Sequence, residues 1–473
     1  MTFVAERPMR RISVLCSGLL LCALACAQDN PSSRALVLNH VTVINPGVSR
    51  SERDRTIVIA GNRITAVGSA AKTRIPKGAN IIDGSGKFVI PGLADMHNHL
   101  GTGYVLPGPP VPGAEAGPEA RNFQRSLSEM LRWGFTTIFS TSHSSPNLED
   151  FSNLKRAAMS DAAALPRFFG VGRAISVKGG HASQPAFASY LPETAVEVRE
   201  EVRAMRTAGV DAIKLIYSDQ THTSRPPLPV MRPEIMQAAI DEAHKSGLRV
   251  LVHAPTLQHA KAALRAGADG LAHSIADAPV DQEFLALMKQ NRASYTTTLS
   301  LYSAFADVAG WIRRLEDMDE RKMISKEIYD RYGTPAGASK YHAFMGTLKP
   351  GEVGYIAGNL KTVHDARIPI LAGTDTGVSG VLLGVSSQME LVLMVEAGLT
   401  PMEALQTATI NAARFLHNEK QLGSVEAGML ADVLVLDADP VADIRNVRKI
   451  YRVIKAGVLY DPGKVGGSVF AAK

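Results

Sequence analysis

Between Pro91 and Phe415 the chain repeats one local pattern: a short apolar run, then a longer amphipathic stretch with helical spacing. The runs cover residues 92–97, 136–141, 167–175, 212–217, 249–253, 270–273, 294–298 and 369–373. Stretches such as 194–208 and 232–246 read as the helices before the fourth and fifth runs. Apolar runs of this length, bounded by turn residues, predict strands covered on both faces, which is the habit of a parallel sheet. Eight β/α units in succession predict a (β/α)₈ TIM barrel with insertions. The alternative is a doubly wound open sheet, but no glycine-rich phosphate turn follows any of the runs.

The two ends of the chain differ from this centre. Residues 35–44, 56–59, 63–67 and 81–90 read as strands, with Gly61-Asn62 and Asp83-Gly84 as turn signals. Residues 430–436 and 451–456 repeat the style, with Gly457 as a turn. The reading is an α/β protein: a barrel over 91–415, and a small β-sandwich domain built from both chain ends, 28–90 and 416–473. With 45% hydrophobic and 20% charged residues the chain has globular proportions, which excludes a fibrous or wholly disordered protein. The net charge of +6 is modest, and no Lys/Arg-rich stripe with interleaved aromatics points to nucleic acid.

Residues 1–27 read as an export signal. Arg7, Arg10 and Arg11 form a basic start, and the apolar run 12–24 is too short for an ordinary membrane span. Ala25-Cys26-Ala27 fits a small-x-small cleavage site, giving a mature start at Gln28 and a periplasmic or secreted protein. Residues 23–26 also resemble a lipoprotein box, so a lipid anchor on Cys26 is the alternative. Cys16, Cys22 and Cys26 all lie in this segment. A chain starting at Gln28 has no thiol for a disulfide, a nucleophile or a metal.

Of 13 histidines, four fall at or near the ends of predicted barrel strands. His97 and His99 flank Asn98 after the first run, and residues two apart on an extended chain share a face. His253 ends the fifth run and His273 the sixth. Lys214 lies in the fourth, and Asp375 follows the eighth. Each alone has an ordinary reading, as a hydrogen-bonded core histidine or an end-of-strand lysine. Together they gather on the one barrel face where side chains converge and active sites are built.

Residues 88–99, Phe-Val-Ile-Pro-Gly-Leu-Ala-Asp-Met-His-Asn-His, look like the first-strand signature of the amidohydrolase superfamily of metal-dependent hydrolases. Residues 371–377 resemble its eighth-strand signature, and 427–432 its return into the β-domain. Gly179-Gly180-His181 and Ile213-Lys214 resemble the branch of imidazolonepropionase-like proteins, prolidase-type dipeptidases and ochratoxin-degrading amidases.

The resemblance implies two divalent cations, with zinc the best match to imidazole and oxygen ligands without thiolate. His97, His99 and Asp375 would hold one, and His253 and His273 the other. Lys214 would bridge them as a carbamate, because a bare ammonium has no lone pair to give. Two cations would acidify a bridging water, and Asp375 would carry its proton to the leaving amine. His181 is the candidate donor to the oxyanion. Tyr217 would reach substrate only if its strand ends before it, since its odd spacing from Lys214 otherwise turns it away. Relatives often carry a histidine near 387–390, where this chain has Ser-Gln-Met-Glu.

The expected substrate is a dipeptide, an N-acyl amino acid or an ochratoxin-like amide. Cyclic-amide, ester or organophosphate hydrolysis is the alternative on the same fold, and a non-catalytic metal-binding lipoprotein the alternative in another class. Insertions at 101–117 and 301–346 follow predicted strands and are candidate substrate walls. A homo-oligomer is left open.

Overall fold

A computed structural model describes residues 34–100, 118–142, 147–160, 164–184, 187–319, 324–349 and 351–463. The export segment, its cysteines and the insertion at 101–117 lie outside these residues. No helix among the described residues is long and apolar enough to cross a membrane.

Both chain ends enter one sheet. Its strands are β1 (Leu36–Asn45), β2 (Arg50–Ala60), β3 (Arg63–Ser69), β4 (Asn80–Asp83) and β5 (Phe88–Pro91). The centre of the chain supplies the barrel strands β6 (Leu93–Asn98), β7 (Phe135–Ser140), β8 (Arg167–Gly170), β9 (Ala212–Ile216) and β10 (Arg249–His253). They continue with β11 (Gly270–Leu271), β12 (Ser294–Thr296) and β13 (Ile370–Leu371). The C-terminal end adds β14 (Val433–Leu436), β15 (Ile450–Lys455) and β16 (Val458–Tyr460) to the first sheet. That sheet runs β16-β15-β14-β5-β1-β2-β3, with β4 paired to β1. Its eight strands form one hydrogen-bonded network that branches at β1, which pairs with β2, β4 and β5.

Period-two patterning explains how this sheet serves two cores. In β14, Val433 and Val435 face the β-domain core, while Leu434 and Leu436 join the core around the barrel. In β1 the inward residues are Leu36, Leu38, Val41 and Val43, which includes an odd step. The register shifts between Leu38 and Val41, and His40 there adopts a left-handed φ of 58°, so a bulge absorbs the extra residue.

The barrel strands form two parallel arcs, β6-β7-β8 and β13-β12-β11-β10-β9. Isolated bridges join the arcs. Ile175 pairs with Leu215 across one seam, and Asn98 with Thr376 across the other. The result is a (β/α)₈-like barrel with a β-domain. Inside it Met96, Phe139, Phe169, Ala212, Leu251 and Leu371 pack into one apolar cluster. Lys214 and His253 stand two residues beyond Ala212 and Leu251, so the alternation aims them inward one layer higher.

Helices around the barrel start on side-chain caps. Thr194 and Glu197 make a reciprocal capping box on helix Ala195–Thr207, and Thr400 and Glu403 do the same on Pro401–Thr407. The insertion after β12 folds mainly into helices Leu299–Ala306, Val308–Glu316 and Pro335–Met345.

Candidate metal centre

β6 delivers His97 and His99 to the carboxyl end of the barrel, and the turn after β13 delivers Asp375. The Asp375 Oδ1 atom lies 3.0 Å from His97 Nε2 and 2.7 Å from His99 Nε2. The His273 ring is 4.5 Å from that of His97 and 4.4 Å from that of His253. Ligand atoms of His97, His273 and Asp375 all fall within 4.8 Å of one another. Lys214 rises beneath them, 1% exposed, and its charge is felt at His97, His253 and His273. Thus the six residues that the sequence singled out as ligands meet in one layer, five of them buried and His99 half-buried.

Two left-handed backbone positions, one of them at a candidate ligand, frame this layer. Asp375 has φ 66° and Thr298 φ 48°, both left-handed, and for a β-branched threonine that is a genuine outlier. The Thr298 hydroxyl sits 3.0 Å from His273 Nδ1, and the Ser142 hydroxyl 2.6 Å from His99 Nδ1. Each of these contacts occupies Nδ1 and turns Nε2 toward the layer, where that of His99 meets Asp375.

Within β6, Asp95 accepts the His97 N–H at 3.1 Å, the Thr374 hydroxyl at 2.7 Å and the Ser387 hydroxyl at 2.8 Å. Burial pushes its carboxyl up to about 6 against those bonds. Asp95 lies two residues before His97, on the same face, which is the signal that would have found it. In the segment where relatives were expected to carry a histidine, Gln388 points away and donates to Trp133 O at 2.9 Å. Glu390 instead accepts the backbone N–H groups of Leu299 and Ser300 and fixes the start of the insertion.

Electrostatics suits a cation. Burial, then the positive charge of Lys214, lowers His97 to about 3, and burial drives His253 and His273 well below their usual range. All three are neutral imidazoles at neutral pH, with lone pairs to offer. Burial alone would raise Asp375, but the adjacent His97 and His99 hold it well below the carboxylate range. Burial lowers Lys214 to about 7, with Asp375 opposing. His253 Nε2 is buried with no hydrogen-bond partner among the described residues, and the buried His97 Nε2 and Asp375 Oδ1 face each other at 3.0 Å without hydrogen-bond geometry. Orphaned nitrogen and carboxylate oxygen atoms facing one another, with no thiolate nearby, fit a divalent cation.

His181 stacks on His253 at 4.5 Å, and Gln220 Nε2 contacts its Nδ1. Burial lowers its imidazole to about 4. Tyr217 stands outside the layer. β9 ends at Ile216, and the Tyr217 ring packs edge-on against His259 at 5.2 Å, within the apolar core. Sequence reasoning missed Gln220 and His222, the latter 5% exposed and pushed down to about 3 by burial. Both lie in an irregular loop where no periodicity marks a side chain's direction.

Residues 88–460 match the family model described as the amidohydrolase family. The chain belongs to the amidohydrolase family. Enzymes of this family act on small molecules, and this amidohydrolase is a hydrolase of carbon–nitrogen bonds. It is 24% identical over 426 residues to a dihydroorotase from Pelotomaculum thermopropionicum, covering 85% of this chain and 89% of that protein. An Xaa-Pro dipeptidase solved with methionine in its active site superposes with a TM-score of 0.69 at 25% identity, over 90% of this chain and 100% of that one. An ochratoxinase from A. niger shares the fold with a TM-score of 0.68 at 21% identity, over 91% of this chain and 96% of that one.

Proposed function

We propose that this amidohydrolase is an exported, binuclear-metal enzyme that cleaves the amide bond of a small substrate such as a dipeptide or an N-acyl amino acid. The observation that carries the reading is Lys214. It is a buried lysine held at about 7 beside buried His97, His253, His273 and Asp375, with half-buried His99 at the edge. A neutral amine there takes up CO₂, releases a proton and becomes an anionic carbamate with two oxygens to share. His97, His99 and Asp375 would hold one ion, His253 and His273 the second, and carbamylated Lys214 would bridge them, with zinc the best match to these donors. Bound cations of this kind supply polarisation of a carbonyl and acidification of water.

The chain's own groups do the rest. Asp375, ionised and strained into place, accepts a proton and returns it to the leaving amine. His181, neutral and stacked on His253, offers an N–H to the oxygen that gains charge. The insertion after β12 would form a wall of the approach, while Tyr217 packs on His259 outside the layer. The likeness to an Xaa-Pro dipeptidase supports a peptide-like substrate. The dihydroorotase relative favours a second reading, opening of a cyclic amide. In both readings 91–415 is the catalytic barrel and 28–90 with 416–473 the β-domain. Export rests on the basic, apolar and small-residue order of positions 1–27.

The test is a panel of dipeptides, N-acyl amino acids with varied C-terminal residues, and dihydroorotate, offered to metal-replete protein. Turnover of a linear amide is expected, with kcat about 10²–10⁴-fold lower in Asp375→Asn while bound metal is largely retained. Turnover of dihydroorotate alone selects the second reading. No turnover of any member overturns both. Intact mass of the exported protein reads the processing: loss of roughly 25–27 residues is expected, and an added diacylglycerol selects the anchored form.

A further inference from the structure

At the opposite end of the barrel lies a second cleft, of about 730 Å³. It opens among the first residues of β10, β12 and β13, far along those strands from the metal layer, and against the helix Ile410–Phe415. Four arginines line it: Arg249, Arg292, Arg367 and Arg414.

Two of them occupy a turn position that favours glycine. Five helices lead into barrel strands through the same turn, in which one residue donates its N–H three residues back and the next donates five back. Its first residue is Gly209, Gly247, Gly267, Arg292 or Arg367. The three glycines have φ of 80°, 70° and 103°, and Arg292 and Arg367 have φ of 51° and 58°. Glycine takes this left-handed conformation freely, and any Cβ is strained in it. The turn itself therefore asks for glycine at 292 and 367. Arginine stands at both, in turns that feed neighbouring strands β12 and β13, on the wall of one cleft. Strain kept at such a place points to a use for the side chain.

The carboxylates of the cleft are already engaged. Asp269 Oδ2 accepts Val250 N–H at 2.8 Å and lies 2.8 Å from His244 Nε2. Asp365 binds Lys361 Nζ through both oxygens, and Glu403 accepts Thr400 N–H at 2.8 Å and meets His364 Nε2 at 3.2 Å. Among the described residues, no side-chain hydrogen bond or ion pair engages the guanidinium of Arg292, Arg367 or Arg414. Arg249 is held over the Phe415 ring at 5.1 Å.

We propose that this cleft binds a small ligand carrying an oxyanion, a phosphate or a carboxylate, held by Arg292, Arg367 and Arg414. Guanidinium forks match both kinds of oxyanion with paired hydrogen bonds, and no lysine lines the cleft.

The test is calorimetric titration of inorganic phosphate and, separately, succinate into metal-replete protein at fixed ionic strength, compared with the double variant Arg292→Gly, Arg367→Gly. Saturable binding of phosphate assigns a phosphoryl ligand, binding of succinate a carboxylate, and binding of both the shared oxyanion chemistry. Glycine suits the two turns, so the variant melts no lower than the wild type. Its affinity is expected to fall about tenfold or more. Failure of both anions to bind the wild type overturns the proposal. So does unchanged affinity in the variant, which would place the anion elsewhere, at the metal centre included.

Discussion

The Cβ that Gly373 lacks would lie 2.6 Å from His97 Cβ. The same atom would lie 2.6 Å from Thr296 Cγ2, so β6, β12 and the end of β13 close around a space with no room for a methyl group. That close approach sets His97 beside Asp375 across the seam between the two arcs.

Gly373→Ala is therefore an overpacking change at the metal layer. It is expected to cost about 1–3 kcal/mol, read by denaturant unfolding, and to lower bound metal per chain. A variant as stable and as metal-loaded as the wild type would show that the seam yields easily.

Lys214→Ala removes the bridging group. Activity is expected to fall by about 100-fold or more, and short carboxylic acids should restore part of it by filling the space with an anion. Undiminished activity would rule out the bridge.

Lys214 also sets a pH dependence in the metal-free chain. Its folded pKa of about 7 lies below the usual lysine value, so the amine is neutral above that pH and charged below it. Only the neutral amine adds CO₂. Carbamate formation, followed by the ¹³C signal from labelled bicarbonate, should rise as pH increases through about 7. A signal independent of pH, or none, would contradict this.

Asp432→Ala tests the joint between barrel and β-domain. The Arg167 guanidinium in β8 donates to Asp432 through Nε at 2.6 Å and through a second nitrogen at 3.2 Å, and Ala456 N–H reaches the same carboxylate at 2.7 Å. Both charged groups are buried. Removing one partner strands the other, at an expected cost of about 3–5 kcal/mol in unfolding free energy. A loss below about 1 kcal/mol would mean the pair is solvated.

The barrel was legible because apolar runs and helical stretches alternate, and because His97, Lys214 and His253 end or occupy strands whose inward face the period of two fixes. Strand ends were less legible. The run 270–273 carries only the two-residue strand Gly270–Leu271, and 369–373 only Ile370–Leu371, since the backbone beyond each turns away to place His273 and Asp375. Left-handed Thr298 and Asp375 leave no mark in composition or periodicity. Gln220 and His222 were missed because their loop has no repeat, and the arginines at 292 and 367 because one residue in place of glycine has meaning only once the turn is seen.

The most direct measurement is anomalous diffraction at the zinc edge from crystals grown with zinc and bicarbonate. The account predicts two zinc sites, one among His97, His99 and Asp375 and one between His253 and His273, with carbamate density extending from Lys214 Nζ to both. A single site or none, or a bare Lys214 amine beside occupied sites, would contradict it.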